Sequence, residues 1–113
     1  MANPASGSSE IRQLARYEVR PEALDRCLAA IREFVAYVRA SEPGTLRYEV
    51  WQEAQHPTRF VHLLVFCDDA AHRAHSASAE VRTFASILYP ACLAPVEFTD
   101  YAQAAAKGEP PPR

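Results

Sequence analysis

Glycine is scarce in this chain, and its scarcity excludes several classes of enzyme. Only three of the 113 residues are glycine: Gly7, Gly44 and Gly108. Phosphate-binding loops such as GxGxxG need clustered glycines, because the backbone must approach the phosphates closely. No such loop is present, and the GxSxG nucleophile motif is absent as well. The sequence therefore predicts neither a nucleotide cradle nor a hydrolase of that kind.

Cysteine, basic charge and long apolar runs are also limited. Cys27, Cys67 and Cys92 are odd in number and form no CxxC pair. This pattern disfavours a disulfide framework or a structural zinc site and indicates a reducing, cytoplasmic location. The formal net charge of −2 provides no basic surplus for binding nucleic acid. The longest apolar run, 84–96, is broken by two prolines, so we expect no membrane span.

The remaining composition is typical of one globular domain. Hydrophobic residues make up 49% and charged residues 23% of the chain, which is a balance found in folded proteins. Residues 1–9 are small and polar, and we predict that they form a disordered N-terminal arm without the features of a signal peptide. We predict a flexible tail at residues 105–113. The folded domain is then expected to span residues 10–104.

Hydrophobic periodicity predicts six elements in the order β-α-β-β-α-β. Strict alternation of apolar and polar residues indicates strands, and apolar residues at spacings of three and four indicate helices. Between the second and third strands we predict a turn at 54–57, and the second helix is expected to bend near 76–78. The predicted strands are 11–19, 45–53, 59–67 and 96–101, and the predicted helices run from Pro21 to the break at 41–44 and from Asp69 to the break at 89–90.

This element order is that of the ferredoxin-like fold, which belongs to the α+β class. Two helices cover one face of a four-stranded antiparallel sheet in this fold. The third strand is apolar on both faces from Phe60 to Phe66, so both faces need cover. A homodimer that packs sheet against sheet would supply that cover. The alternative is a monomer with an exposed, adhesive apolar face.

Two histidines of the second predicted helix are candidates for chemistry. His72 and His75 lie three residues apart, so they share one face of the helix. A metal site would need a further ligand, for which His62 and Cys67 are the candidates, but no HExxH motif is present. We therefore predict no metal site.

His62 interrupts the otherwise apolar strand FVHLLVF. A buried imidazole needs a hydrogen-bond partner, because an unpaired buried polar group costs about 1–3 kcal/mol. One interpretation is a polar group in an apolar ligand pocket. The other is a histidine at the dimer interface that is bonded to Glu49 or Glu53 of a neighbouring strand.

Aromatic and arginine side chains are candidate substrate-binding groups. Aromatic rings stack on flat substrates, and the permanent charge of arginine can stabilise a phenolate. The alternatives are core packing for the rings and ion pairs with strand glutamates for the arginines. The candidate substrate-binding residues are Tyr17, Arg47, Tyr48, Trp51, Phe66 and His72.

The segment 42–69, EPGTLRYEVWQEAQHPTRFVHLLVFCDD, followed by AAHRAHSASAEVRTF at 70–84, resembles the antibiotic biosynthesis monooxygenase family. The shared features are a Pro-Gly before the second strand, an Arg-Phe-Val start to the third strand and an acidic helix cap. A helical histidine then precedes a serine by three residues, here His75 and Ser78. The resemblance covers nearly all of the predicted folded region. The family's dimeric α/β-barrel fold agrees with the predicted element order.

The resemblance implies a monooxygenase without metal, flavin or other cofactor. It would oxidise an electron-rich aromatic, polyketide or quinol with molecular oxygen. His75 matches the helical histidine of the family and would transfer the proton, with His62 as a second catalytic residue. Haem-degrading relatives use an Asn and a Trp, whereas this chain has Phe66 at the Trp position and no Asn after Asn3. The alternatives are a non-catalytic binding dimer and an oxygen-independent isomerase or cyclase on the same fold.

Overall fold

The protein was analysed as a computed structural model that describes residues 9–108. Most of the predicted arm and tail, residues 1–8 and 109–113, lies outside this range, so both remain predictions. No helix within the described range is long and apolar enough to cross a membrane. The elements are β1 (Ile11–Glu18), α1 (Leu24–Ser41), β2 (Thr45–Glu53), β3 (His56–Phe66), α2 (Asp69–Ser76), α3 (Ala79–Leu88) and β4 (Glu97–Tyr101), with 3-10 turns at Pro21–Ala23 and Tyr89–Ala91.

The four strands form one sheet in the order β2-β3-β1-β4. All neighbouring strands are antiparallel. The helices contribute to a core on one face of the sheet, and none of the helices in residues 9–108 covers the other face. The predicted α+β, ferredoxin-like fold is therefore confirmed.

Helix α1 forms because its apolar residues return to one side of the helix at spacings of three and four. It ends at Glu42, whose backbone N–H donates to the carbonyl of Val38. Pro43 and Gly44 then turn the chain into β2. A Cβ at Gly44 would lie only 2.6 Å from the Cβ of Ala71. A glycine at this position thus allows the α1–β2 turn to approach α2 closely.

The second helical region consists of two helices rather than one bent helix. The Asp68 side chain accepts from the backbone N–H of Ala71 at 2.8 Å and caps α2. The Ser78 hydroxyl accepts from the backbone N–H of Val81 at 3.0 Å and caps α3. The expected bend near 76–78 is therefore a complete break, because Ser78 starts a new helix.

The β2–β3 hairpin is tighter than predicted. Its turn is Ala54–Gln55, and β3 begins at His56 rather than at residue 59. A register irregularity between Gln52 and Glu53 accommodates this change. In the regular part of the ladder, Val50 lies opposite His62. This register decides which side chains meet on the helix-covered face.

Candidate active site

A cavity of about 230 Å³ lies between α1, α3 and the helix-covered face of the sheet. Four polar side chains from β1, β2, β3 and α2 converge on it: Tyr17, Tyr48, His62 and His75. Most of the remaining wall is apolar, as expected for a site that binds an organic ligand. Prominent apolar wall residues are Ala15, Phe34, Leu64, Val81, Phe84 and Leu88.

His75 is paired with a carboxylate that the sequence did not single out. Its Nδ1 lies 2.8 Å from Oε1 of Glu42, and both side chains are only 10% exposed. The Thr45 hydroxyl donates to the same carboxylate oxygen at 2.8 Å. Because a carboxylate accepts the Nδ1 proton, Nε2 carries the lone pair when the ring is neutral. Within residues 9–108, Nε2 makes no hydrogen bond, so it is available to a ligand.

The second carboxylate oxygen of Glu42 strengthens this arrangement. Oε2 is buried and has no hydrogen-bond partner among the described residues. A buried carboxylate with few donors is poorly compensated, so it gains from a positive charge nearby. The carboxylate therefore stabilises the charge that the His75 ring acquires when it takes a proton. The Glu42–His75 pair can act chemically as a general base.

His62 bridges two tyrosines. Its Nε2 lies 2.6 Å from the hydroxyl of Tyr17, and its Nδ1 lies 2.9 Å from the hydroxyl of Tyr48. The sheet register explains this contact: His62 lies opposite Ala15 on β1 and Val50 on β2. The two tyrosines are thus diagonal neighbours of His62 on the same face, within reach of long side chains.

Burial keeps this Tyr–His–Tyr group uncharged. His62 is 3% exposed, and desolvation lowers its pKa from 6.5 to about 4. Desolvation likewise raises the pKa of Tyr17 and of Tyr48 far above the ordinary value. The interpretation of His62 as an interface residue bonded to Glu49 or Glu53 is wrong. These glutamates lie on the opposite face of the sheet and pair with arginines there.

Not all predicted substrate-binding residues reach the cavity. Trp51 and Arg47 lie on the face of the sheet that carries no helix. Trp51 is 52% exposed, and Arg47 is paired with Glu49 at 3.3 Å. Trp51 lines a separate groove of about 500 Å³. Their predicted contact with the substrate therefore has no support from this cavity.

Phe66 and His72 are not part of the cavity wall. Phe66 is fully buried, and its ring centroid is 5.1 Å from that of His75 and 5.0 Å from that of His72. Phe66 thus packs against the His75 ring without lining the cavity. His72 is not part of the cavity wall. Within residues 9–108, no three His, Cys, Asp or Glu side chains are grouped to hold a metal ion.

Sequence reasoning overlooked Glu42 and Phe34. Glu42 was considered only as part of the break that ends the first helix. Its partner His75 follows 33 residues later, so no local pattern links them. Phe34 is buried on α1, and its ring also forms part of the cavity wall. An acidic residue just before a Pro-Gly turn, with a histidine on a following helix, was the available signal for the pair.

We expect the protein to lose stability as the pH falls, because native His62 resists protonation. The unfolded chain binds a proton below pH 6.5, whereas the folded protein does so only near pH 4. The His62 contribution is therefore complete above pH 6.5 and is lost progressively as the pH falls towards 4. Between pH 6.5 and 4 the free energy of unfolding should fall by about 3 kcal/mol through this effect. Urea unfolding of the protein and of a His62→Gln variant should show the weaker pH dependence in the variant; equal slopes would contradict this assignment.

Comparison with known proteins agrees with the fold. The family model of antibiotic biosynthesis monooxygenase matches residues 10–86. No curated protein matches the chain significantly. Three solved structures with similar folds illustrate the likeness.

The first is a Bacteroides thetaiotaomicron protein assigned to the antibiotic biosynthesis monooxygenases, with a TM-score of 0.82, 21% identity, and coverage of 89% of this chain and 95% of that one. The second is Rv0793 from Mycobacterium tuberculosis, with a TM-score of 0.79, 20% identity, and coverage of 88% and 100%. The third is a point mutant of SnoaB, a cofactor-independent oxygenase from Streptomyces nogalater, with a TM-score of 0.77, 20% identity, and coverage of 90% and 100%. At these identities the structures support the fold alone, and the family match covers most of the chain. This protein belongs to the antibiotic biosynthesis monooxygenase family.

Proposed function

We propose that this chain is a cofactor-independent monooxygenase that oxidises an electron-rich aromatic, polyketide or quinol with molecular oxygen. The observation that carries the proposal is the Glu42–His75 pair, whose unbonded Nε2 belongs to a side chain on the wall of a largely apolar cavity. Family membership supports a monooxygenase-like function. The cavity holds a substrate ring, and the pair supplies a base next to it.

The reaction starts with the transfer of a substrate hydroxyl proton to Nε2 of His75. The resulting phenolate passes one electron to oxygen, and the superoxide then combines with the substrate radical at a ring carbon that carries hydrogen. His75 returns its proton to the peroxide. Cleavage of the O–O bond releases hydroxide, which leaves as water with the proton of that carbon. One oxygen atom remains as a carbonyl, and the substrate supplies all four electrons.

The test is oxygen consumption by metal-stripped protein with anthrones, hydroquinones and naphthols, after subtraction of protein-free autoxidation. We expect uptake that a chelator does not reduce, with one oxygen per substrate and one atom of ¹⁸O₂ in the product. Hydrogen peroxide in place of labelled product would indicate an oxidase. Anaerobic conversion would indicate an isomerase or cyclase, and binding without turnover would indicate a binding protein.

We also propose that the protein forms a homodimer through the open face of the sheet. The alternating register places Leu14, Val61 and Leu63 on this face, where they remain only half-buried. A second copy would cover these apolar side chains by packing sheet against sheet. The α3 side of the molecule would remain free of the partner.

A charge on the open face should therefore dissociate the dimer. We expect the wild-type protein to sediment as a dimer and Leu63→Arg to sediment as a monomer, because a buried unpaired guanidinium is strongly unfavourable at an interface. Ser86→Arg is the matched control, since Ser86 is exposed on α3. A wild-type monomer, or a Leu63→Arg dimer of unchanged affinity, would contradict the proposed interface.

A further inference from the structure

The Tyr17–His62–Tyr48 group contains one more hydroxyl proton than its own hydrogen bonds use. A neutral imidazole has one N–H donor and one lone pair. One tyrosine must therefore donate its proton to the ring, while the other accepts the ring's N–H. The accepting tyrosine retains its own hydroxyl proton for a third group. Within residues 9–108, neither tyrosine hydroxyl has another hydrogen-bond partner.

The two distances indicate which tyrosine keeps its proton. Bonds donated by hydroxyl groups are characteristically shorter than those donated by N–H groups, with modes near ~2.7–2.8 Å and ~2.9–3.0 Å. The Tyr17–His62 contact is 2.6 Å and the Tyr48–His62 contact is 2.9 Å. Tyr17 thus donates to Nε2, and Nδ1–H donates to Tyr48. The free proton belongs to Tyr48.

Tyr48 is also the tyrosine of this group that neighbours the base. Its ring centroid lies 5.7 Å from that of His62 and 6.3 Å from that of His75. The edge of its ring packs against Phe34, which restricts its orientation. Its free hydroxyl is therefore placed in the same cavity as the Glu42–His75 pair.

We infer that Tyr48 donates a hydrogen bond to the oxyanion of a bound phenol, and that His62 and Tyr17 are positioning residues that keep its proton free. This inference rests on the proposed function for the ligand class, a phenol. His75 removes a proton from the ligand, and the Tyr48 hydroxyl stabilises the negative charge that results. A charge-assisted hydrogen bond in a dry cavity is stronger than its counterpart in water.

The size of the cavity narrows the ligand class further. An apolar cavity of about 150 Å³ is known to accommodate benzene, and this cavity has about 230 Å³. It therefore fits a substituted single ring or a fused pair of rings. A ligand with three fused rings would exceed this volume, so part of it would lie outside the cavity or displace its walls.

Two other polar groups at the wall are engaged elsewhere. The Gln13 amide donates to Asp100 at 3.0 Å, and the Arg82 guanidinium donates to the carbonyl of Ala77 at 2.9 Å. Of the titratable and charged groups near Tyr48, Glu42 acts on it electrostatically and His75 contacts its ring, while Arg82 is part of the cavity wall. Burial of the tyrosines and of His62 keeps the donor protonated at neutral pH.

The test uses 4-nitrophenol under anaerobic conditions, because its phenolate is coloured and no oxidation is needed. Absorbance titration of the bound probe gives its pKa in each variant. We expect Tyr48→Phe to raise the pKa of bound 4-nitrophenol by about one unit relative to the wild type, a tenfold change in its ionisation constant. Tyr37→Phe is the matched control and should leave the value unchanged, since Tyr37 is not part of this cavity wall.

Tyr17→Phe provides a readout that a purely structural role would not move. Without the Tyr17 donor, the His62 proton can shift to Nε2, and Tyr48 then donates to Nδ1. The free hydroxyl proton is lost, so the pKa of bound 4-nitrophenol should rise in Tyr17→Phe as it does in Tyr48→Phe. An unchanged value in both variants, or no binding of 4-nitrophenol by the wild type, would overturn the inference.

The size limit has its own comparison. We expect 1-naphthol to bind anaerobically at least tenfold more tightly than 1-anthrol; equal or tighter binding of the three-ring phenol would overturn the size limit.

The anaerobic binding and pKa measurements are all independent of oxygen consumption. Phenolate stabilisation without oxygen uptake would support the inference and contradict the oxygenase. Oxygen uptake, together with an unchanged pKa of bound 4-nitrophenol in Tyr48→Phe, would support the oxygenase and contradict the inference about Tyr48.

Discussion

Replacement of His75 by alanine should lower kcat/KM for oxygen consumption by about 100- to 10,000-fold, which is the range that a positioned general base contributes. In the proposed reaction the phenolate is the electron donor to oxygen, and without His75 it would have to form by proton loss to water. His75 is buried on one face of the short helix α2. The reduction of kcat/KM in His75→Ala should become smaller as the pH is raised towards the pKa of the free substrate, because more phenolate then forms without the base.

His72→Ala is the matched control for this result. His72 lies on the same helix, three residues before His75, but outside the cavity wall. Its removal should leave kcat/KM nearly unchanged. Glu42→Gln should lie between the two variants, because the amide preserves the shape of the side chain but removes the charge that stabilises protonated His75. Full activity in His75→Ala would show that another group is the base.

Replacement of Phe34 by alanine should lower the free energy of unfolding by about 3–5 kcal/mol. Phe34 is 4% exposed and lies at the centre of a ring cluster. Its ring stacks on Phe84 at 4.8 Å and also contacts Tyr37, Tyr48 and His75. Truncation removes all these contacts and leaves a void next to the cavity. Urea unfolding at neutral pH measures the change.

Two further substitutions make this stability test specific. Phe34→Leu should cost less than Phe34→Ala, because leucine refills much of the space. Phe98→Ala removes a ring of the same size from a position that is 55% exposed. It should cost less than about 1 kcal/mol. If Phe34→Ala and Phe98→Ala were equally destabilising, the ring cluster would not be the centre of the core.

Alternation predicts which side chains of one strand share a face. It did not show which face of the sheet the helices cover, so the side of Tyr17, Tyr48 and His62 was open until the structure was known. Their mutual contact was not predicted, because it depends on register. With the four-residue turn at 54–57 and an unbroken ladder, Glu53 would pair with Thr58, and Val50 would lie opposite residue 61. The irregularity beside Glu53 moves His62 opposite Val50 instead.

The Glu42–His75 pair was beyond sequence reasoning for a different reason. Each residue belongs to a local pattern that is complete without the other: a helix break for Glu42 and a capped helix for His75. Their contact depends on how the α1–β2 turn packs against α2, which is a tertiary contact. Resemblance to the family drew attention to His75, but it gave no indication of the carboxylate. The location of Trp51 on the uncovered face was likewise open until the packing was known.

The close contact of Gly44 with Ala71 links the strength of the base to the docking of a helix. Helix α2 has eight residues, which is too short to be stable in isolation. It keeps its place through contacts such as this one and the bond between Glu42 and His75. In the proposed reaction, the docking of α2 and the activation of the base are therefore coupled. A larger side chain at position 44 would separate the carboxylate from the imidazole, and kinetics would record weaker proton abstraction although no residue at the cavity had changed.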